Sequence, residues 1–119
     1  VEMIVRGDYY QKNGKHYVLY EELIEGFKEP VKNIIKITST SMDITKKGTA
    51  ITHMLFEKNR KNVSCYSTPF GEIVVGIQAN HFAVDEQADS LKVNVDYSLD
   101  INYEHMSDCR ILVDVQSCQ

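Results

Sequence analysis

Four histidines, three cysteines and a run of carboxylates are the side chains here that could ligate a metal or activate a nucleophile. His16, His53, His81 and His105 are never spaced as HxH or HxxxH, whereas zinc needs three or four converging ligands. Asp85, Glu86 and Asp89 lack the ligand spacing and the glycine of a calcium loop, so they read as a solvated turn. Cys65, Cys109 and Cys118 form no CxxC pair and leave at least one thiol unpaired, which suits a reducing compartment. Cys65 has no electropositive neighbour in sequence to lower its pKa and reads as a buried structural thiol. A phosphate-cradling glycine loop, a serine elbow and a telling carboxylate pair are missing too. The expectation is a protein that is not an enzyme, with no cofactor and no metal.

The elements that would position any site are strands. Residues 91–104, LKVNVDYSLDINYE, alternate apolar and polar side chains for fourteen positions, the signature of a strand with one dry and one wet face. Nearly every other segment also has period 2, with turn signals at short intervals and no helical stripe. Asn13-Gly14 marks a hairpin between VEMIVRGDYYQK and KHYVLYEE, and Pro69-Phe70-Gly71 a turn into EIVVGIQ. Gly76 and a change of phase near Ala79 predict a bend or bulge before NHFAVD, while HMSD at 105–108 reads as the last turn. Phase places inward Tyr17 and Leu19, Ile35 and Ile37, Met42 and Ile44, and Met54 and Phe56. It places inward also Ile73, Val75 and Ile77, Phe82 and Val84, and the odd positions from Leu91 to Tyr103. Eight to ten short antiparallel strands in largely meander order define an all-β domain over residues 1–119, closed as a barrel or packed as a sandwich.

Composition narrows the functions. A chain of 119 residues with 43% hydrophobic and 25% charged residues suits one soluble domain. Its formal charge of −4 and the acidic residues beside its tyrosines disfavour nucleic acid. The basic stretch EKNRKN at 57–62 reads as a solvated hairpin loop. Apolar runs such as IVVGI fall far short of the roughly 20 residues that span a bilayer, so no membrane segment is expected.

Within this scheme four hydroxyls, those of Thr52, Tyr66, Thr68 and Tyr97, take the inward phase among aliphatic side chains. A buried hydroxyl needs a hydrogen-bond partner. Bonded to one another or to backbone, these groups fix strand register; left available, they orient a small amphipathic ligand.

DITKKGTAITHMLFEKN, then YSTPFGEIVV, then LKVNVDYSLDINYE and CRILVDV, resemble in order the YwiB-like family of bacterial proteins. Tyr66, Thr68, Pro69, Phe70 and Gly71 match its Y-x-T-P-[YF]-G element. Met54, Phe56 and Glu57 match M-x-F-E, Tyr20-Glu21-Glu22 matches Y-x-E, and Tyr97 with Leu99 matches Y-x-L. Lys46 stands where members tend to carry arginine, Gln78-Ala79 replaces a usual threonine, and the chain begins one strand later than the family pattern. The resemblance implies a single calycin-type, lipocalin-like β-barrel in a bacterial, cytoplasmic setting, and transfers no catalytic or binding residue. Besides the minority case of an enzyme with an undetected site, two functions follow for testing. One is a non-catalytic carrier of a small hydrophobic or amphipathic ligand in the barrel, with Thr52, Tyr66, Thr68 and Tyr97 as its polar contacts. The other is an interaction module whose exposed edge strand pairs with a protein partner or a second copy.

Overall fold

The computed structural model describes residues 4–23, 25–26, 28–48 and 51–117, the side chains of residues 67 and 68 excepted. Nine strands follow one another, with no helix among the described residues: β1 Asp8–Lys12, β2 Lys15–Glu22, β3 Val31–Ile37, β4 Ser41–Lys47, β5 Ile51–Glu57, β6 Lys61–Thr68, β7 Gly71–Glu86, β8 Ser90–Ile101 and β9 Glu104–Gln116. They form a five-stranded sheet in the order β1-β2-β3-β4-β5 and a four-stranded sheet in the order β6-β7-β8-β9. The expected all-β meander is therefore present. The expected closed barrel is not found, because among the described residues the ladders make two sheets rather than one ring. At the connection from β5 to β6 the backbone makes single bonds instead of a ladder: Glu57 bridges Arg60, Lys58 N donates to Thr40 O at 2.9 Å, and Lys58 bridges Ala79 in the parallel sense.

The chain divides into two compact units, Val1–Thr38 with Met42–Leu55 and Ser39–Ser41 with Phe56–Gln119. In the first, Asn13 and Gly14 take φ of 53° and 75°, the two positive values that a tight hairpin turn demands, and β1 and β2 close on them from Lys12↔Lys15 to Asp8↔Leu19. No atom lies within 4 Å of a Cβ built on Gly14. Gly14→Ala is therefore expected to cost only the left-handed backbone penalty, about 1–2 kcal/mol, read as a lower urea midpoint with an unchanged slope.

Register decides which face of this sheet is dry. Ile37 pairs with His16 and Met42, Ile35 with Val18 and Ile44, and Asn33 with Tyr20 and Lys46. Paired residues share a face. Ile35, Ile37 and Met42 are buried as expected, but the β2 residues on their face are His16, Val18 and Tyr20, not Tyr17 and Leu19. HYVLY carries apolar groups on both sides of the strand, so alternation cannot choose between them, and the pairing with β3 does. On the other face Tyr17 stacks on Tyr10 at 4.8 Å.

In the second unit β7 runs unbroken through the expected irregularity. Ala79 pairs with Tyr97 and His81 with Asp96, which leaves Asn80 as one extra residue. This bulge switches the buried phase from odd positions, Ile77 and Ala79, to an even one, Phe82. Gly76 does not bend the strand. It lies under the Lys61–Asp100 ion pair, and a Cβ there would come within 3.1 Å of Lys61 Cε. Leu91, Val93 and Val95 of β8 are buried in the odd phase. That strand ends at Ile101, however, and turns on Asn102 and Tyr103, with φ of 51° and 69°. Tyr103 is thus an exposed turn residue rather than an inward one, and residues 105–108 belong to β9. Asn102 fastens this turn to β7, its N–H donating to Val74 O at 2.7 Å and its Oδ1 accepting from Val74 N at 3.0 Å.

Candidate functional site

Of the four hydroxyls singled out by phase, Tyr66 and Tyr97, both in the second unit, do not converge. Thr52 lies on β5 in the first unit and is exposed, so its expected inward orientation does not hold; the end of β5 is open where Phe56, four residues on, is buried. Thr68 ends β6, and its side chain lies outside the described residues. Tyr66 pairs with Ile73 and Tyr97 with Ala79, six positions apart along β7. At the strand rise that is about 20 Å, too far for one small molecule to bond both hydroxyls. Cys65 is exposed, contrary to the buried thiol expected, because its neighbour Tyr66 takes the half-buried face of β6.

Tyr97 is a partnered residue of the second unit. Its ring meets Phe56 edge to face at 4.9 Å and 64°. Burial, with help from a hydrogen bond to Cys109, pushes its pKa up to about 12. A phenol that is harder to ionise folded than unfolded adds stability that is whole below pH ~10 and is lost as pH rises through 12. Absorbance titration is expected to show one tyrosine ionising near 12, and Tyr97→Phe to remove that step.

Beside Tyr97 the bulge presents Asn80 to a groove of about 360 Å³ that also has Asp96, Asp108, Cys109 and Arg110 in its lining. Its groups are bonded among themselves. Asn80 Nδ2 donates to Ser98 Oγ at 2.8 Å, Ser98 Oγ to Asp108 Oδ1 at 3.0 Å, and Arg110 Nε to Asp96 Oδ1 at 2.7 Å. His105 Nε2 lies 3.0 Å from the same Asp108 oxygen. The hydrogen bond from Arg110 holds Asp96 below the usual carboxylate range, and those from His105 and then Ser98 do the same for Asp108. Serine, histidine and aspartate meet here with the carboxylate in the middle. A serine nucleophile needs the histidine on its own hydroxyl, so this order activates nothing. Among the described residues no group of three or more histidines, cysteines and carboxylates could hold a metal ion.

The first unit holds the arrangement that phase alone missed. Its dry face grades along the strands: His16, Ile37 and Met42 first, then Val18, Ile35 and Ile44, then the polar row Tyr20, Asn33 and Lys46. Lys46 Nζ lies 3.3 Å from Glu22 Oε1, one row further out. Asn33 is only 1% exposed. Its Nδ2 reaches Val31 O at a long 3.4 Å, while its Oδ1 is buried with no donor. An orphaned buried acceptor costs about 1–3 kcal/mol, so a leucine would suit this position better if packing were all that mattered. Burial, then the charge of Glu22, raises the pKa of Tyr20, whose hydroxyl is a donor at neutral pH as any phenol is. Only the place of Asn33 was legible in sequence, two residues before Ile35 in the inward phase; its row with Tyr20 and Lys46 exists only through two registers.

Two antiparallel meander sheets, one with a polar row at the end of an aliphatic face, define an all-β protein whose described residues include no serine activated by a histidine. Residues 1–113 match the family model described as Domain of unknown function (DUF1934), and the chain belongs to that family. None of the curated proteins matches it. Among solved structures it is similar to the ywiB protein from Bacillus subtilis, with a TM-score of 0.69 and 20% identity over 94% of this chain and 75% of that one. At that identity the likeness concerns the fold, and it accords with the YwiB-like resemblance of the sequence. No helix among the described residues is long and apolar enough to cross a membrane.

Proposed function

We propose that this protein is a non-catalytic binding protein for a small amphipathic molecule, housed in a calycin-type barrel and working in the cytoplasm. The observation that carries the reading is the Asn33 carbonyl, buried without a donor in a row with Tyr20 and Lys46. Folds keep a polar group in so costly a place when something outside the packing needs it. The apolar part of the ligand is short. Ile37 and Met42 have no exposed surface, so protein atoms already cover that end, and only the half-buried Val18, Val31 and Ile44 remain to meet an alkyl group.

Native mass spectrometry of protein purified without detergent, before and after denaturing extraction, tests this. A discrete mass released on denaturation is expected. A bare chain after incubation with cell extract would count against a ligand.

A second reading has its own observation. β1 closes one end of the five-stranded sheet, and all five of its residues are exposed, Tyr9 and Tyr10 among them. An open edge strand can accept a partner strand or a second copy. Concentration-dependent sedimentation abolished by Gln11→Pro would favour it, since Gln11 forms a non-hydrogen-bonded pair with His16 and proline there removes an outward N–H that an added strand would use.

A further inference from the structure

The polar row that carries the ligand reading also constrains the chemistry of what it would hold. Asn33 Oδ1 is an acceptor and asks for an N–H or O–H. Tyr20 beside it on β2 and Lys46 beside it on β4 are donors and ask for an oxygen. Lys46 and Glu22 already neutralise each other at 3.3 Å, so the site has no spare charge for a simple anion or a simple cation. Cross-strand neighbours sit about 5 Å apart, so donor and acceptor on the ligand must be close together.

The geometry points to a ligand head in which donor and acceptor occupy adjacent positions, a primary amide or an amino-acid-type zwitterion, bound by Asn33, Tyr20 and Lys46 with a short branched alkyl group beside it. This rests on the ligand reading above and deepens it. Lys46 is the more exposed member of its ion pair, its side chain 46% exposed against 16% for Glu22, and it is the long flexible one that would have to swing aside to admit the head to Asn33.

Four probes of nearly one shape separate the possibilities in 15N-resolved NMR titrations of the full chain. L-Valine and isobutyramide carry donor and acceptor together, isobutyrate only the acceptor, and isobutylammonium only the donor. Valine or isobutyramide is expected to shift the Asn33 side-chain amide and the backbone amides of Tyr20 and Lys46. Isobutyrate and isobutylammonium are expected to bind at least tenfold more weakly. Asn33→Leu should abolish the shifts while its urea midpoint is unchanged or higher, which separates lost recognition from lost folding. Lys46→Met should weaken valine at least tenfold and isobutyramide less, because a carboxylate gains more from an ammonium than a neutral carbonyl does. Isobutyrate binding as well as valine, or full binding by Asn33→Leu, overturns the assignment. Should none of the four bind while a co-purifying mass is seen, the head chemistry is wrong and the ligand reading stands. With neither probe binding nor a co-purifying mass, both fall.

Discussion

Phe56→Ala is expected to remove about 3–5 kcal/mol of stability, read as a urea midpoint that falls with the slope unchanged. Phe56 has no exposed surface, and its ring meets the edge of Tyr97 at 4.9 Å, an arrangement that adds about 0.5–1.5 kcal/mol beyond area alone. Truncation leaves a cavity that neighbouring backbone cannot fill, since Phe56 is followed within two residues by Lys58, bonded to Thr40 and bridged to Ala79. Phe56→Leu keeps most of the volume and should cost well under half as much. A loss below about 1 kcal/mol for the alanine variant would mean the site is not packed as described.

The second large effect comes from the opposite faces of one strand pair. Val95 has no exposed surface, whereas Leu112 on β9, paired with Asn94, is 70% exposed. Val95→Asp would place an unpaired carboxylate among Phe82, Val93 and Ile111, at a cost comparable to the total stability of a small domain, about 5–15 kcal/mol. The variant is expected to be unfolded at neutral pH by circular dichroism. Leu112→Asp should stay within about 0.5 kcal/mol of the parent. The reverse ranking would mean that the register from Ala79 onward is wrong by one residue.

These faces show why parts of the molecule could be read from sequence and others could not. Asn13-Gly14 announced its turn because few other residue pairs take two positive φ angles cheaply. The bulge at Asn80 was visible because it reverses the apolar phase within one strand. The turn at Asn102-Tyr103 stayed hidden for a matching reason. A two-residue turn makes Ile101 face Glu104 and so flips parity, and the extra residue Met106, between the pairs Leu99↔Ser107 and Asp100↔His105, flips it back. The odd positions are inward on both sides, and the pattern runs through the turn as though the strand had continued. β2 misled differently, since consecutive apolar residues leave the choice of face to pairing partners far along the chain. The polar row was out of reach for the same reason: Tyr20, Asn33 and Lys46 are neighbours only through two registers. Thr52 and Tyr66 share a phase with core residues, and phase says nothing about distance along a strand or about where a strand end becomes exposed.

In both sheets every strand lies beside the strand that follows it in the chain, and residues 13–14, 69–70 and 102–103 are the whole of three connections. Such a chain needs no long loop to close before a contact rewards it. Each hairpin can zip outward from its own turn, on the microsecond scale of isolated hairpins, and then offer an edge to the next strand as it arrives. For an all-β protein the average sequence separation between touching residues is accordingly low, and folding should be faster than for Greek-key sandwiches of equal length. The two positive-φ turns then set the pace as well as the shape, because a residue that resists the left-handed region at either one delays the step from which its hairpin grows.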